Sequence, residues 1–402
     1  MSPRQVLAIL ASAELLAMAP WFSASAVAPT LARVWQLSPA GSAWLTISVQ
    51  LGFVAGALVS AILTLADRWS ARRLVSGAAA LAALATLGVA FAPGAGWGMA
   101  CRLLTGAALA GVYPPGMKIV AGWFREGRGL AIGVLVGALT LGSAAPHLVR
   151  WAAPPDAWRL VLVVAAISAF VGGLLVLAVP NDGPYAAPSP PFSWSAAPRL
   201  LKDRAVALAN LGYLGHMWEL YAMWTWIAVF VAESERLRRG ADVDVTTLAA
   251  LVTFAVVGSG AIGCWLGGKY ADRLGRTLVT SVAMFVSGSC AIMVGLFFGS
   301  PLAALLPLLL VWGVSVVADS AQFSAAVSEL APSDYVGTAL TLQTSLGFLL
   351  TCATIWLLPA VAATIGWRWS MSVLAIGPAC GVWAMLALRL RPEAARLAGG
   401  RG

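Results

Sequence analysis

The sequence predicts an all-α membrane protein of twelve transmembrane helices, arranged as two pseudo-symmetric six-helix bundles. Three observations carry that prediction. The chain is 60% hydrophobic and only 10% charged, with a mean hydropathy of +0.87, whereas a soluble domain carries about 25% charged residues. Apolar runs long enough to cross a hydrocarbon core about 30 Å thick recur along almost all of its 402 residues. The first half of the chain is also echoed in the second at a fixed offset.

Read against turn residues, the apolar runs give spans at 6–29, 40–66, 74–93, 97–123, 129–149, 159–179, 206–232, 246–268, 277–298, 302–327, 337–359 and 369–388. The stretch PNDGPYAAPSPPFSWSAAPRLLKDR holds six prolines and ends basic, which marks a linker. The expected organisation is an N-terminal bundle over 1–179, a cytoplasmic linker over 180–205, a C-terminal bundle over 206–388 and a cytoplasmic tail over 389–402. Lys and Arg set the orientation. With the N-terminus inside, 16 of the 25 basic residues fall on the cytoplasmic side and 7 outside, while Arg102 and Lys118 lie within spans. The protein is therefore expected in the cytoplasmic membrane with both termini inside. The net charge of +9 is accordingly a topology signal and not a nucleic-acid surface.

The repeat is local and specific. ELLAMAPW begins at Glu14 and ELYAMWTW at Glu219; five of eight positions agree, 205 residues apart. The loops ADRWSARR, with Asp67, and ADRLGRTL, with Asp272, stand at the same offset. Small residues at 23–26 resemble a signal-peptidase site, but the repeat makes the first span part of the fold and predicts that it stays uncleaved. Glu14, Ala17, Met18 and Trp21 share one helical face, as do Glu219, Ala222, Met223 and Trp226. The shared pattern predicts that both faces line the centre between the halves.

These residues resemble the major facilitator superfamily of transporters. GKYADRLGRT supplies Gly268, Asp272, Arg273, Gly275 and Arg276 of that family's loop signature, between the eighth and ninth spans. The first-half copy is degraded: Asp67 and Arg68 remain and Arg72 follows, but Leu63 and Ser70 replace its glycines. RLLTG at 102–106 is similar to the family's fourth-span arginine element. GVYPPGMKIVAGWF and the glycine-rich fifth span loosely resemble bacterial nitrate/nitrite and cyanate permeases. The glycines and Pro146 of that span differ from the arrangement usual in the family's drug antiporters. The resemblance implies two bundles rocking about a central site, with the charged loops (Asp67, Arg68, Arg72, Gly268, Asp272, Arg273, Gly275, Arg276) acting as a conformational latch.

A charge at mid-bilayer costs about 2.5–3.5 kcal/mol on insertion scales, so intramembrane charges need a reason. Glu219 and its repeat Glu14 are read as proton- or substrate-binding groups; a structural hydrogen bond to a neighbouring helix is the alternative. Met18, Trp21, Met223 and Trp226 accompany them. Arg102, with Tyr113 near it on the helix, could bind an anion or form a structural pair. Asp319 with Gln322 offers a third candidate, either functional or structural. Lys118 is read as snorkelling to the interface, and His147 and His216 as local hydrogen-bonding groups. Stripes at Gly129/Gly133/Gly137, Gly52/Gly56 and Gly263/Gly267 would let helices approach closely. The five cysteines form no C-x-x-C pair, and no metal, phosphate or triad motif appears, so neither an enzyme nor a cofactor is expected.

The sequence thus predicts a monomeric secondary transporter of a small solute, most simply an anion or organic acid taken up with protons. Proton-coupled export of cationic or amphipathic compounds is the alternative, and a transporter-like sensor a more distant one.

Overall fold

The computed structural model describes residues 1–154, 156–186 and 192–402; residues 187–191 of the expected linker lie outside the described residues. All regular structure among the described residues is helical. The spans are α1 Pro3–Ala26, α2 Pro39–Ile62, α3 Ala71–Ala90, α4 in two pieces (Ala95–Leu109 and Tyr113–Trp123), α5 Arg128–Ala152 and α6 Trp158–Val176. The second set is α7 Arg204–Arg239, α8 Thr246–Leu274, α9 Arg276–Phe297, α10 Leu302–Leu330, α11 Ser333–Ile365 and α12 Trp367–Arg389. Ten of these are long and apolar enough to cross a bilayer by length and composition. The other two differ for local reasons. α4 is interrupted at 110–112, just ahead of Pro114–Pro115, so neither piece reaches spanning length alone. α7 runs unbroken for 36 residues but carries His216, Glu219 and a basic last turn.

Packing repeats with a period of six. α1 packs on α5 and α6, α2 on α4, and α3 on α4 and α6; likewise α7 packs on α11 and α12, α8 on α10, and α9 on α10 and α12. The main pairings between the bundles are α5 with α8 and α2 with α11. Alternating spans place both termini and the α2–α3 and α8–α9 loops at one end, here the motif end; the opposite is the far end.

Glycine decides how closely α5 meets α8. A Cβ on Gly133 would sit 2.7 Å from the Cys264 carbonyl oxygen, a distance that real side chains do not tolerate. The other two stripes work inside bundles: Gly52 and Gly56 meet the Leu103 and Ala107 carbonyls of α4, and Gly263 and Gly267 meet the Val314 and Ala318 carbonyls of α10. Only the α5 stripe lies where one bundle could slide on the other.

Among the described spans α1 is interrupted at Ala19 before Pro20, α4 at 110–112 and α10 at Asp319, while α12 passes through a 3-10 stretch at Met371–Ala375. The α1 break is tied by Arg102, which is fully buried. Its Nε donates to the Leu45 carbonyl at 3.0 Å and its Nη1 to the Pro20 carbonyl at 2.6 Å, and its Nη2 donates to the Trp21 carbonyl. One guanidinium therefore joins α1, α2 and α4. Lysine is a point charge without this planar fork. Arg102→Lys should leave buried carbonyls unpaired and cost on the order of 2–3 kcal/mol, read as a lowered unfolding transition in detergent; an unchanged transition would remove this role.

At the far end, Asp244 in the α7–α8 loop accepts from the Thr246 backbone N–H at 2.9 Å. Hydrogen bonds from the Thr246 backbone and side chain hold its carboxyl below the usual carboxylate range; the Arg150 and Arg236 charges assist, and partial burial opposes them. Arg150 belongs to α5, so this attraction crosses between bundles. A depressed carboxyl stabilises the fold above its unfolded pKa of about 3.9, and that contribution is lost as pH falls through the folded value. Thermal stability should therefore drop below about pH 4, and Asp244→Asn should flatten that part of the profile.

Candidate functional site

An aromatic layer closes the space between the bundles. Trp21 of α1 lies 5.0 Å from Phe53 of α2, 5.7 Å from Tyr221 of α7 and 5.6 Å from Phe348 of α11, measured between ring centroids. Phe53 and Phe348 meet across the α2–α11 contact at 4.5 Å. Phe22 adds contacts to Tyr221 and Trp224 at 6.1 and 5.8 Å. Such pairs contribute about 0.5–1.5 kcal/mol each beyond burial, so the layer is cohesive.

A polar cluster lies on the motif side of this layer. Glu14 stands two turns before Trp21, Tyr213 and His216 precede Tyr221 on α7, and Gln343 precedes Phe348 on α11. Tyr113 opens the second piece of α4 and is half-buried. It lies within electrostatic reach of Glu14, Tyr213 and Cys264, and Cys264 in turn of Asp319. His216 Nδ1 is 2.9 Å from Asp319 Oδ1, and both side chains are 1% exposed.

The decisive feature is what these groups lack. Glu14 Oε1, His216 Nε2, Asp319 Oδ2 and Gln343 Oε1 are buried with no hydrogen-bond partner among the described residues. Gln50, one turn from Phe53 toward the far end, is fully buried with both amide atoms unpartnered. An unsatisfied polar group costs several kcal/mol in hydrocarbon. They are gathered where the bundles face each other, which makes this the candidate site.

The other predicted residues are distributed differently. Glu219 does not face the N-terminal bundle. Its Oε2 accepts from Ser287 Oγ of α9 and its Oε1 from Trp312 Nε1 of α10, both at 2.7 Å. Trp226 donates from Nε1 to the Ile355 carbonyl at 3.0 Å and packs on Trp367. The expected shared central face is therefore corrected: Trp21 faces the centre, but its repeat Trp226 turns into its own bundle. Pro20 breaks α1 ahead of Trp21, whereas α7 continues through the matching stretch, so the two copies do not present the same side. On α7, Tyr221 and Trp224 meet the partner bundle instead. Met18 and Met223 are fully buried. Gln322 also leaves the site; its Oε1 accepts from Arg276 Nη1 at 2.8 Å. Arg102 is committed to its three carbonyls.

The latch residues differ between halves. Asp272 Oδ2 lies 2.8 Å from where a Cβ on Gly129 would stand, in the first turn of α5, where a carboxylate gains about 0.3–1 kcal/mol from the helix dipole. That contact crosses between bundles. Gly268 packs against the Gly129 carbonyl, and Gly275 takes φ +92°, closed to ordinary side chains. Arg276 pairs with Glu329 at 2.6 Å and with Asp272 at 3.5 Å. The expected tail docks here: the Ala398 N–H donates to Glu329 Oε2 at 3.1 Å and the Thr277 N–H to the Gly402 carbonyl at 3.3 Å. In the first half Asp67 pairs with Lys118 of α4, inside its own bundle, so Lys118 does more than snorkel. Arg72 donates to the Val179 carbonyl at 2.7 Å. There the position matching Gly275 is Ser70 at φ −60°, which needs no glycine, and the positive φ falls instead on Thr64 at +50°. Arg68 and Arg273 are exposed.

Sequence reasoning missed Gln50, Tyr213 and Gln343, and undervalued His216. The glutamines were visible as amides inside apolar spans, a weaker signal than a charge. Tyr213 gave none, because a tyrosine near a span end also suits the membrane interface.

The profile of the Major Facilitator Superfamily matches residues 10–355. The chain is 29% identical over 158 residues to the niacin transporter NiaP of Acinetobacter baylyi, covering 39% of this chain and 36% of that one. It is 26% identical over 181 residues to the MFS-type transporter pytF of Aspergillus terreus, covering 44% and 58%. The matches thus span only about a third to just over half of these relatives' lengths. A D-xylose-proton symporter superposes with a TM-score of 0.75 at 16% identity, covering 97% and 98% of the two chains. An inward-facing bacterial homologue of the human lysosomal transporter Spinster gives 0.74 at 15%, covering 97% and 99%. At such identities these likenesses speak for the fold alone. The profile match over nearly the whole chain, the two six-helix bundles and the loop signature between α8 and α9 converge: this multi-pass membrane protein belongs to the major facilitator superfamily.

Proposed function

We propose that the protein is a proton-coupled secondary transporter of a small organic solute with a flat ring and hydrogen-bonding groups. It would take the solute up across the cytoplasmic membrane, as a monomer, by alternating exposure of the space between its bundles. The observation that carries this reading is the set of unpartnered buried polar atoms bordered by the aromatic layer. Trp21, Tyr221 and Phe348 offer ring faces. Gln343, His216 and, beyond the layer, Gln50 offer neutral donors and acceptors. The partial match to a protein named for niacin, a heteroaromatic acid, supports the same class.

Arg102 no longer supports an anion site, because its guanidinium is spent on carbonyls. An acidic solute would meet neutral donors and travel with protons. Glu14 and Asp319, one from each bundle, are the proton-carrying candidates. Two acids beside aromatic faces would also suit a cation, which keeps export of cationic compounds as the second reading.

Nicotinate, nicotinamide and tetraphenylphosphonium should be screened first by thermal stabilisation of the purified protein at two pH values. Stabilisation by the pyridine compounds supports the first reading, and by tetraphenylphosphonium alone the second. In proteoliposomes, Asp319→Asn and Glu14→Gln should each lower pH-gradient-driven accumulation of the stabilising compound about tenfold or more, while counterflow persists. Undiminished accumulation in both variants would sink the coupling assignment.

A further inference from the structure

We propose that His216 relays protons between Asp319, at the candidate solute site, and Glu219 behind it, so that the C-terminal bundle holds two proton sites in series. The inference rests on the proton-coupled reading above and extends it to a carboxyl that does not face the solute.

Two of the three groups touch, and the third stands one helical turn away. His216 Nδ1 is 2.9 Å from Asp319 Oδ1. Its other nitrogen, Nε2, is buried and has no hydrogen-bond partner among the described residues. Glu219 follows three positions later on α7, which is helical throughout this stretch, so the two side chains leave neighbouring points about 5–6 Å apart on one face. Glu219 receives one hydrogen bond at each oxygen, from Ser287 and Trp312. A carboxylate oxygen has a second lone pair, so a small rotation admits an N–H from His216 without displacing either donor. Tyr213 and Phe323 flank the imidazole at 6.1 and 5.6 Å, walling the route from lipid. The other titratable groups nearby are the Tyr213 phenol beside the imidazole and two thiols, Cys290 of α9 beside Glu219 and Cys264 of α8 beside Asp319.

The transfer balances. The Asp319 O–H breaks as Nδ1–H forms on an imidazole already protonated at Nε2. The Nε2–H of that imidazolium then breaks as an O–H forms on Glu219. One proton has moved, and His216 remains neutral with its proton on Nδ1; the reverse transfer or a ring flip resets it. The N-terminal bundle has no such device, since the position matching His216 is Ala11.

Trp312 is a built-in reporter, because its indole N–H is bonded to the Glu219 carboxyl. The full-length protein in lipid nanodiscs is subjected to a stopped-flow pH jump, with the proton as the only probe, and the fluorescence component that disappears in Trp312→Phe is followed. It should be absent in Glu219→Gln and slowed about tenfold or more in both His216→Gln and Asp319→Asn. If His216→Gln does not fold, Asp319→Asn carries the test. A component indifferent to Glu219→Gln, or equally fast without His216 or Asp319, overturns the relay. Loss of pH-driven accumulation in Asp319→Asn with an unslowed component would sink the relay and leave the coupling reading standing. A slowed component with transport indifferent to the pH gradient would sink the coupling reading and support the relay as a proton path.

Discussion

In hydrocarbon, a polar group must find its hydrogen bonds inside the protein, and this constraint organises the whole molecule. It separates the intramembrane polar residues into two kinds. Arg102 and Glu219 are satisfied: the first by carbonyls of α1 and α2, the second by donors from α9 and α10. They hold broken or neighbouring helices in place. Glu14, Gln50, His216, Asp319 and Gln343 keep polar atoms without partners, and they lie around the layer where the bundles meet.

The same constraint explains why the breaks occur where they do. α4 and α10 occupy equivalent places in the two bundles, and each is interrupted beside a site residue, Tyr113 and Asp319. Irregular backbone at membrane depth is tolerated where it lines a cavity. α1 breaks at Pro20, and Arg102 satisfies carbonyls next to the break. The surfaces between the bundles hold few fixed bonds: the glycine face of α5 on α8, the aromatic contact of α2 on α11, and the Asp272 carboxylate at the start of α5.

Much of the fold was legible because it is written in long-range composition. Apolar runs gave the twelve spans, and GKYADRLGRT gave the loop in which Asp272 meets the start of α5 and Arg276 pairs with Glu329. The site was legible only in part. Periodicity placed Glu219, Met223 and Trp226 on one face correctly, but could not tell which way that face turns; rotation of a helix is set by its packing neighbours. The repeat suggested equal environments for Trp21 and Trp226, yet a single proline on α1 makes them differ. Charge and the RLLTG element singled out Arg102, although its role depends on carbonyls that no motif announces.

The central claim is that solute crosses between the bundles through the polar cluster beneath the aromatic layer. Accessibility of single cysteines on a cysteine-free background tests it most directly, using a membrane-impermeant thiol reagent. Tyr113→Cys and Gln343→Cys should react and be protected by a stabilising solute, while Ser287→Cys, behind Glu219, stays unreactive. Reaction at 287 with 113 and 343 silent would contradict the account and place the path elsewhere.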